Sequence, residues 1–206
     1  MKSALLLVDI QNDFLPGGAL AVPEGDAVVP IANRLQWLFN TVVASQDWHP
    51  PGHLSFASSH AGLKPFDTTT VAGLEQILWP DHCVQNTAGA EFARDLNTEG
   101  VDAVFRKGED PRYDSYSAFF DNGHQRSSGL ADWLHARSIT RVYIVGLAAD
   151  VCVLFTALDA VNEGFDTVVV SDATRGVDLQ PGDTKRALDR MPQQGVSLVT
   201  SRTILN

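Results

Sequence analysis

The chain has 206 residues, 44% apolar and 19% charged, which is enough to bury a sizeable core and is ordinary for one globular domain. Its 25 acidic against 15 basic side chains leave a formal charge of -10, a surface that repels phosphate backbones and anionic lipid, so nucleic-acid and membrane partners are not expected. The two cysteines, Cys83 and Cys152, are too few for a disulfide framework, and each reads as a small core residue or a reactive thiol.

In chain order, the apolar run Ala4–Val8 predicts a first strand, ended by Asp9. That run is too short for a signal peptide or a membrane span, so a soluble, cytoplasmic protein is expected. Val28–Phe39 predicts an amphipathic helix with Pro30 near its first turn, where a missing N–H costs little. A second strand at Thr41–Ser45 leads to Asp47 and His49. From Trp48 to Thr87 the chain is rich in Pro, Ser and Thr without a long period, which predicts an extended functional loop with one short helix. Ala90–Leu96 predicts a helix, and Val101–Phe105 a third strand followed by Lys107. A helix at Gly129–Arg137 and a strand at Arg141–Val145 come next, then Gly146 and a helix at Asp150–Glu163 with Cys152 at its start. The strand at Thr167–Val170, the helix at Thr184–Met191 and the strand at Val196–Val199 complete the pattern. Gly-Phe-Asp at 164–166 and Gln-Gln-Gly at 193–195 read as helix exits. Alternating strands and helices imply a three-layer αβα domain over 1–206 around a six-stranded, mostly parallel sheet, with a metal-binding loop region at about 47–87.

In such sheets ligands bind beyond the carboxyl ends of the strands. Asp9, Asp47, His49, Lys107 and Cys152 all fall there. Taken singly, Asp9 reads as a turn residue, Lys107 as a surface lysine and Cys152 as a buried hydrophobe. Taken together they offer a proton acceptor, a positive charge and a nucleophile. A thiol at a helix N-terminus beside an ammonium is expected to favour the thiolate. A second group is Asp47-x-His49 with His53 and His82. Residues two apart on an extended segment project to one side, so Asp47 and His49 can grip one ion. One carboxylate with imidazoles suits a divalent transition metal, zinc ahead of iron(II) or manganese(II). Spacing alone leaves His60 open as another ligand.

The segments VDIQNDF, ASQDWHPPGH, WPDHCVQNT, FRKG, DSYSAFFDN and GLAADVCV occur in the order found in bacterial nicotinamidases (pyrazinamidases) of the isochorismatase-like hydrolase superfamily, and the chain resembles that family along its whole length. The resemblance implies a catalytic triad of Asp9, Lys107 and Cys152, and metal ligation by Asp47, His49, His53 and His82, with His60 only supporting. It implies an oxyanion hole from the amides of Ala148 and Cys152, with a non-proline cis peptide before Ala148. It also implies that Phe14 and Trp79 hold the substrate ring, with Tyr116 in the same pocket. Ala149 stands where many relatives carry Thr, a change that leaves the backbone donors in place. The implied reaction is hydrolysis of a small aromatic carboxamide, nicotinamide and with it pyrazinamide, through a cysteine thioester, as in NAD salvage. Competing readings are another amidohydrolase of the superfamily, a hydrolase whose metal-bound water attacks while Cys152 is structural, and a catalytically silent binding module. Homo-oligomerisation stays open.

Overall fold

In the computed structural model of the chain, which describes residues 2–205, the six expected strands form one sheet. In chain order the elements are β1 (Ser3–Val8), α1 (Val28–Gln36), β2 (Val42–Asp47), β3 (Thr68–Val71), β4 (Leu74–Ile77), β5 (Ala103–Lys107), α2 (Leu130–Ala136), β6 (Arg141–Leu147), α3 (Cys152–Asn162), β7 (Asp166–Arg175), α4 (Asp183–Gln193), β8 (Ser197–Val199) and α5 (Ser201–Leu205). The sheet order is β5-β2-β1-β6-β7-β8, and every neighbouring pair is parallel. The chain starts in the middle, builds outward to β5, then returns to the other side of β1. That reversal makes a switch point between β1 and β6, where the loops at the carboxyl ends of the two strands diverge and leave a crevice.

Continuous apolar runs fit because both faces of the sheet are covered. Leu5 and Leu7 of β1 pack into the core on the α1 side, with Val28, Val29, Ala32 and Leu35 of that helix. Ala4, Leu6 and Val8 face the opposite core, with Leu130 and Leu134 of α2, Val153 and Ala157 of α3, and Met191 of α4. Each fully buried leucine contributes about 1.5–3 kcal/mol of hydrophobic stabilisation. Gly146 lets β6 close against β1 at the switch point. A Cβ there would lie 2.0 Å from the Val8 carbonyl oxygen, and its φ of +118° is one that glycine tolerates.

One sequence expectation is corrected and two elements are added. Ala90–Leu96 is not an α-helix. Asn12 N donates to Glu91 O and Ala93 N to Ile10 O, while Ala90 O accepts from the side chains of Gln11 and Gln46, and these bonds draw the segment into extended pairing. The short helix expected within Trp48–Thr87 is the 3-10 turn at Ala57–Ser59. The region adds an unexpected β3–β4 hairpin, whose Ala72-Gly73 turn has positive φ at both residues (48° and 85°), the twist that two-residue hairpins favour. The short α5 was also not expected.

Candidate active site at the switch point

Asp9 is the first residue past β1 and is fully buried. Ser45 of β2 donates its hydroxyl to Asp9 Oδ1 at 2.7 Å. The Lys107 ammonium lies 2.9 Å from Oδ2 as an ion pair, yet Oδ2 makes no aligned hydrogen bond and keeps lone-pair capacity for a proton. Burial pushes Asp9 above the usual carboxylate range, and the Lys107 charge only partly offsets this.

Lys107 ends β5 directly across from Asp47, its register partner on β2. Its ammonium contacts Asp47 Oδ1 at 3.0 Å, donates to Ser115 O at 2.7 Å and reaches Cys152 Sγ at 3.6 Å. Burial works against its charge, but Asp47 and Asp9 outweigh it and hold Lys107 protonated, well above the ordinary lysine range.

Cys152 opens α3, reached from β6 through a turn whose Leu147–Ala148 peptide is cis. Within that turn the amides of Ala149, Val151 and Val153 donate to Arg175 O, Ala148 O and Ala148 O, whereas those of Ala148 and Cys152 are not among the backbone donors. The expectation of a resting thiolate is reversed. Burial pushes the Cys152 thiol well up, and the Asp9 and Asp47 carboxylates push the same way against Lys107. The thiol therefore holds its proton until a base takes it, and Asp9 is the carboxylate placed to do so.

Phe14, Trp79, Tyr116, Ala148 and Cys152 line a single cavity of about 350 Å³, its open mouth included, with Asp47 and His82 on the same wall. Trp79 Nε1 and Gln76 Nε2 both donate to the Tyr116 hydroxyl, at 3.3 and 3.1 Å, which fixes two walls together. Burial raises the Tyr116 phenol, which stays neutral. A roomier polar cleft, lined by Lys107, Glu109, Asp110 and Asp121, includes neither Cys152 nor Asp9.

Asp47, His49 and His82 present ligand atoms that all lie within 4.8 Å of one another, and all three are buried. Their donor chemistry fits a cation. His49 Nδ1–H donates to Gly108 O and His82 Nδ1–H to Pro80 O, since a carbonyl can only accept. Each Nε2 then faces Asp47 Oδ2, at 3.2 and 3.3 Å, where a cation or a shared proton fits. Burial alone would lower His49, but Asp47 and Asp114 hold it above the usual imidazole range. Burial alone would raise Asp47, but His49 and Lys107 hold it well below the usual range, so it is anionic. At Gly108 a Cβ would meet the His49 ring at 2.4 Å, so glycine makes room for that ligand.

His53, the fourth expected ligand, lies outside that group of three. Its Nδ1 is 2.7 Å from Ser55 Oγ and accepts from Ser55 N, and its Nε2–H donates to Asp110 O. Neither nitrogen has a lone pair to spare; the ring instead packs 4.5 Å from that of His49. His60 donates from Nε2 to Leu54 O and is structural.

Several contributors escaped the sequence reading. Gln11 grips Asp47 at both backbone groups, donating to its carbonyl and accepting from its amide, each at 2.8 Å. Asp13 accepts from Cys83 N at 2.7 Å and anchors the loop that carries His82. Phe56 sets its ring edge against His49 and His82. Asp114, Gln76 and Ser45 were also not singled out. The VDIQNDF segment was the available signal for Gln11 and Asp13.

Comparison with known proteins is consistent with this arrangement. The isochorismatase-domain pattern matches residues 3–203. The nicotinamidase of Escherichia coli (strain K12) is 51% identical over 201 residues, spanning 96% of this chain and 94% of that protein. Among solved structures, a nicotinamidase/pyrazinamidase of Acinetobacter baumanii superposes with a TM-score of 0.95 at 47% identity over 98% of each chain. A pyrazinamidase of Pyrococcus horikoshii in complex with zinc superposes with a TM-score of 0.79 at 39% identity, over 97% of this chain and 99% of that one.

Proposed function

The chain belongs to the isochorismatase family, and from that premise we propose that it hydrolyses nicotinamide to nicotinate and ammonia, with pyrazinamide as a second substrate, in one catalytic domain. The observation that carries the proposal is the meeting of Asp9 and Lys107 behind Cys152, which itself lines a narrow aromatic cavity, with Lys107 Nζ 2.9 Å from Asp9 Oδ2 and 3.6 Å from Cys152 Sγ.

As Cys152 Sγ attacks the carboxamide carbon, Asp9 takes the thiol proton, which burial keeps on sulfur until then. The amides of Ala148 and Cys152 hold the tetrahedral oxyanion. Asp9 returns its proton to the departing nitrogen, the C–N bond breaks and ammonia leaves a thioester. Water, deprotonated by Asp9, attacks the thioester, and the proton passes back to the Cys152 sulfur as nicotinate is released. Lys107 stays charged throughout and keeps the two acidic partners close. Phe14, Trp79 and Tyr116 hold the ring.

Asp47, His49 and His82 would hold one divalent ion, which we assign as zinc. Bound there, it would supply a Lewis acid for the pyridine nitrogen, directly or through water, and these three residues would thereby help orient the ring towards Cys152.

The test is ammonia release from nicotinamide, pyrazinamide and benzamide by purified, metal-analysed protein, with rapid quenching to trap a nicotinoyl thioester on Cys152. The pyridine and pyrazine amides should turn over and the adduct should map to Cys152. No ammonia from nicotinamide would overturn the proposal.

A further inference from the structure

Asp114 is a buried carboxylate that the reaction just described does not use. It sits in the loop between β5 and α2 and lines the cavity beside Asp47 and His82. Its Oδ1 accepts from Ser115 N at 2.8 Å and lies 3.7 Å from His49 Nε2, and its Oδ2 accepts from Gln76 Nε2 at 3.2 Å. None of these neighbours carries a fixed positive charge. The nearby guanidinium groups of Arg112 and Arg126 pair with Asp110 instead. A buried carboxylate without a cation is costly, so its partner must be sought. Asp9, Asp47 and Asp114 bring three buried carboxyl groups to the site, and Lys107 contacts the first two of them. Asp114 is left facing His49 and the cavity beside Asp47 and His82, where a cation would complete its surroundings.

We infer that Asp114 belongs to the cation site: it balances the charge of an ion held by Asp47, His49 and His82, and it accepts a hydrogen bond from a water on that ion. The inference rests on the metal reading above. Its carboxylate falls outside the group whose ligand atoms all lie within 4.8 Å of one another, which places it across a water and not in direct ligation. Asp114 is thus a positioning residue, acting on substrate only through the ion.

The experiment compares zinc affinity, by competition with a chromophoric chelator, and thermal unfolding with and without zinc, for the parent, Asp114→Asn, Asp114→Glu and Asp110→Asn. Asp114→Asn should bind zinc ~10–100-fold more weakly, the usual cost of losing a group that supports metal ligands. Its metal-free form should unfold no earlier than the parent, because an unpaired buried charge has gone, while the stabilisation gained from zinc shrinks. Asp114→Glu keeps the charge and should retain most of the affinity. Asp110→Asn, whose charge is paired with arginine, should lower stability in both forms and leave zinc affinity unchanged. Zinc affinity of Asp114→Asn within twofold of the parent, or equal loss in Asp114→Glu, would overturn the inference. A parent that binds no zinc would instead sink the metal reading itself.

Discussion

The sheet edge and the long loops facing it hold their side chains by different means. Asp47 and Lys107 are register partners on β2 and β5, Asp9 follows β1, and Cys152 follows β6, so the pairing of strands sets their distances. Opposite them, His49, His82, Trp79 and Tyr116 sit on irregular backbone, tied down one hydrogen bond at a time: Asp13 to Cys83 N, His53 to Asp110 O, Gln76 to the Tyr116 hydroxyl. A rigid edge suits bond making, which tolerates little misplacement, and loops suit the shaping of a ring-sized slot. Substitutions on the edge should therefore remove catalysis, and substitutions on the loops should change recognition.

The largest expected effect is at the edge. Cys152→Ala should abolish turnover and leave fold and metal content intact; substantial activity in that variant would hand the attack to water. Asp9→Asn keeps the shape and should lower kcat by ~10²–10⁴, the range for a positioned acid–base group. Because burial raises Asp9, and a base must be ionised to act, the acid limb of the kcat/KM profile should lie above the ordinary aspartate value of about 4. Ser45→Ala removes a hydrogen bond that favours the ionised form, so the limb should move to still higher pH. A limb that stays put or moves down would show that the profile reports another group.

The same contrast explains what could be read from sequence. Strands such as Ala4–Val8 and Arg141–Val145 were legible because burial on both faces writes an unbroken apolar run, and their polar ends then pointed to Asp9, Lys107 and Cys152. The Asp47-x-His49 pair was legible from the period of an extended chain, and His82 from the cluster of histidines that follows it, with the family resemblance setting His60 aside. What failed were features set by side-chain-to-backbone bonds. Ala90–Leu96 has helical spacing, but Gln11 and Gln46 claim its carbonyl at Ala90. His53, which has a ligand's spacing, is held by Ser55 and Asp110, contacts that no spacing reveals. The thiolate expectation counted the helix dipole and Lys107, and left out burial and two carboxylates.

On the loop side the metal gives the next largest effect. If Asp47, His49 and His82 hold an ion that orients the pyridine ring, its benefit is confined to amides with that nitrogen. Benzamide should then be a poor substrate of the zinc-loaded protein. Chelation, or His49→Ala, should lower kcat/KM for nicotinamide towards the benzamide value while benzamide changes little. A ~100-fold loss would correspond to roughly 2.7 kcal/mol of ring-specific binding in the transition state. Parallel loss for both amides would show instead that the ion serves the chemistry, and would move it from the loop side of the comparison to the edge.

The smallest effect separates a ligand from its neighbour. The His53 ring stands 4.5 Å from that of His49, and both were candidate ligands from sequence, His49 through its pairing with Asp47. In the structure His49 turns Nε2 towards Asp47 Oδ2, whereas His53 spends Nδ1 on Ser55 and Nε2–H on Asp110 O. His53→Gln should thus cost about 1–3 kcal/mol of stability through a buried polar group left unpaired, since one amide cannot replace both bonds. Zinc content should stay at the parent level, and kcat/KM for nicotinamide should fall no more than ~10-fold, through loosened packing on His49. His49→Ala, measured alongside, should lose the metal. If His53→Gln loses zinc as completely as His49→Ala, then His53 must release Asp110 O to become a fourth ligand when the ion arrives. The loop would then be organised by the metal and not by its own hydrogen bonds.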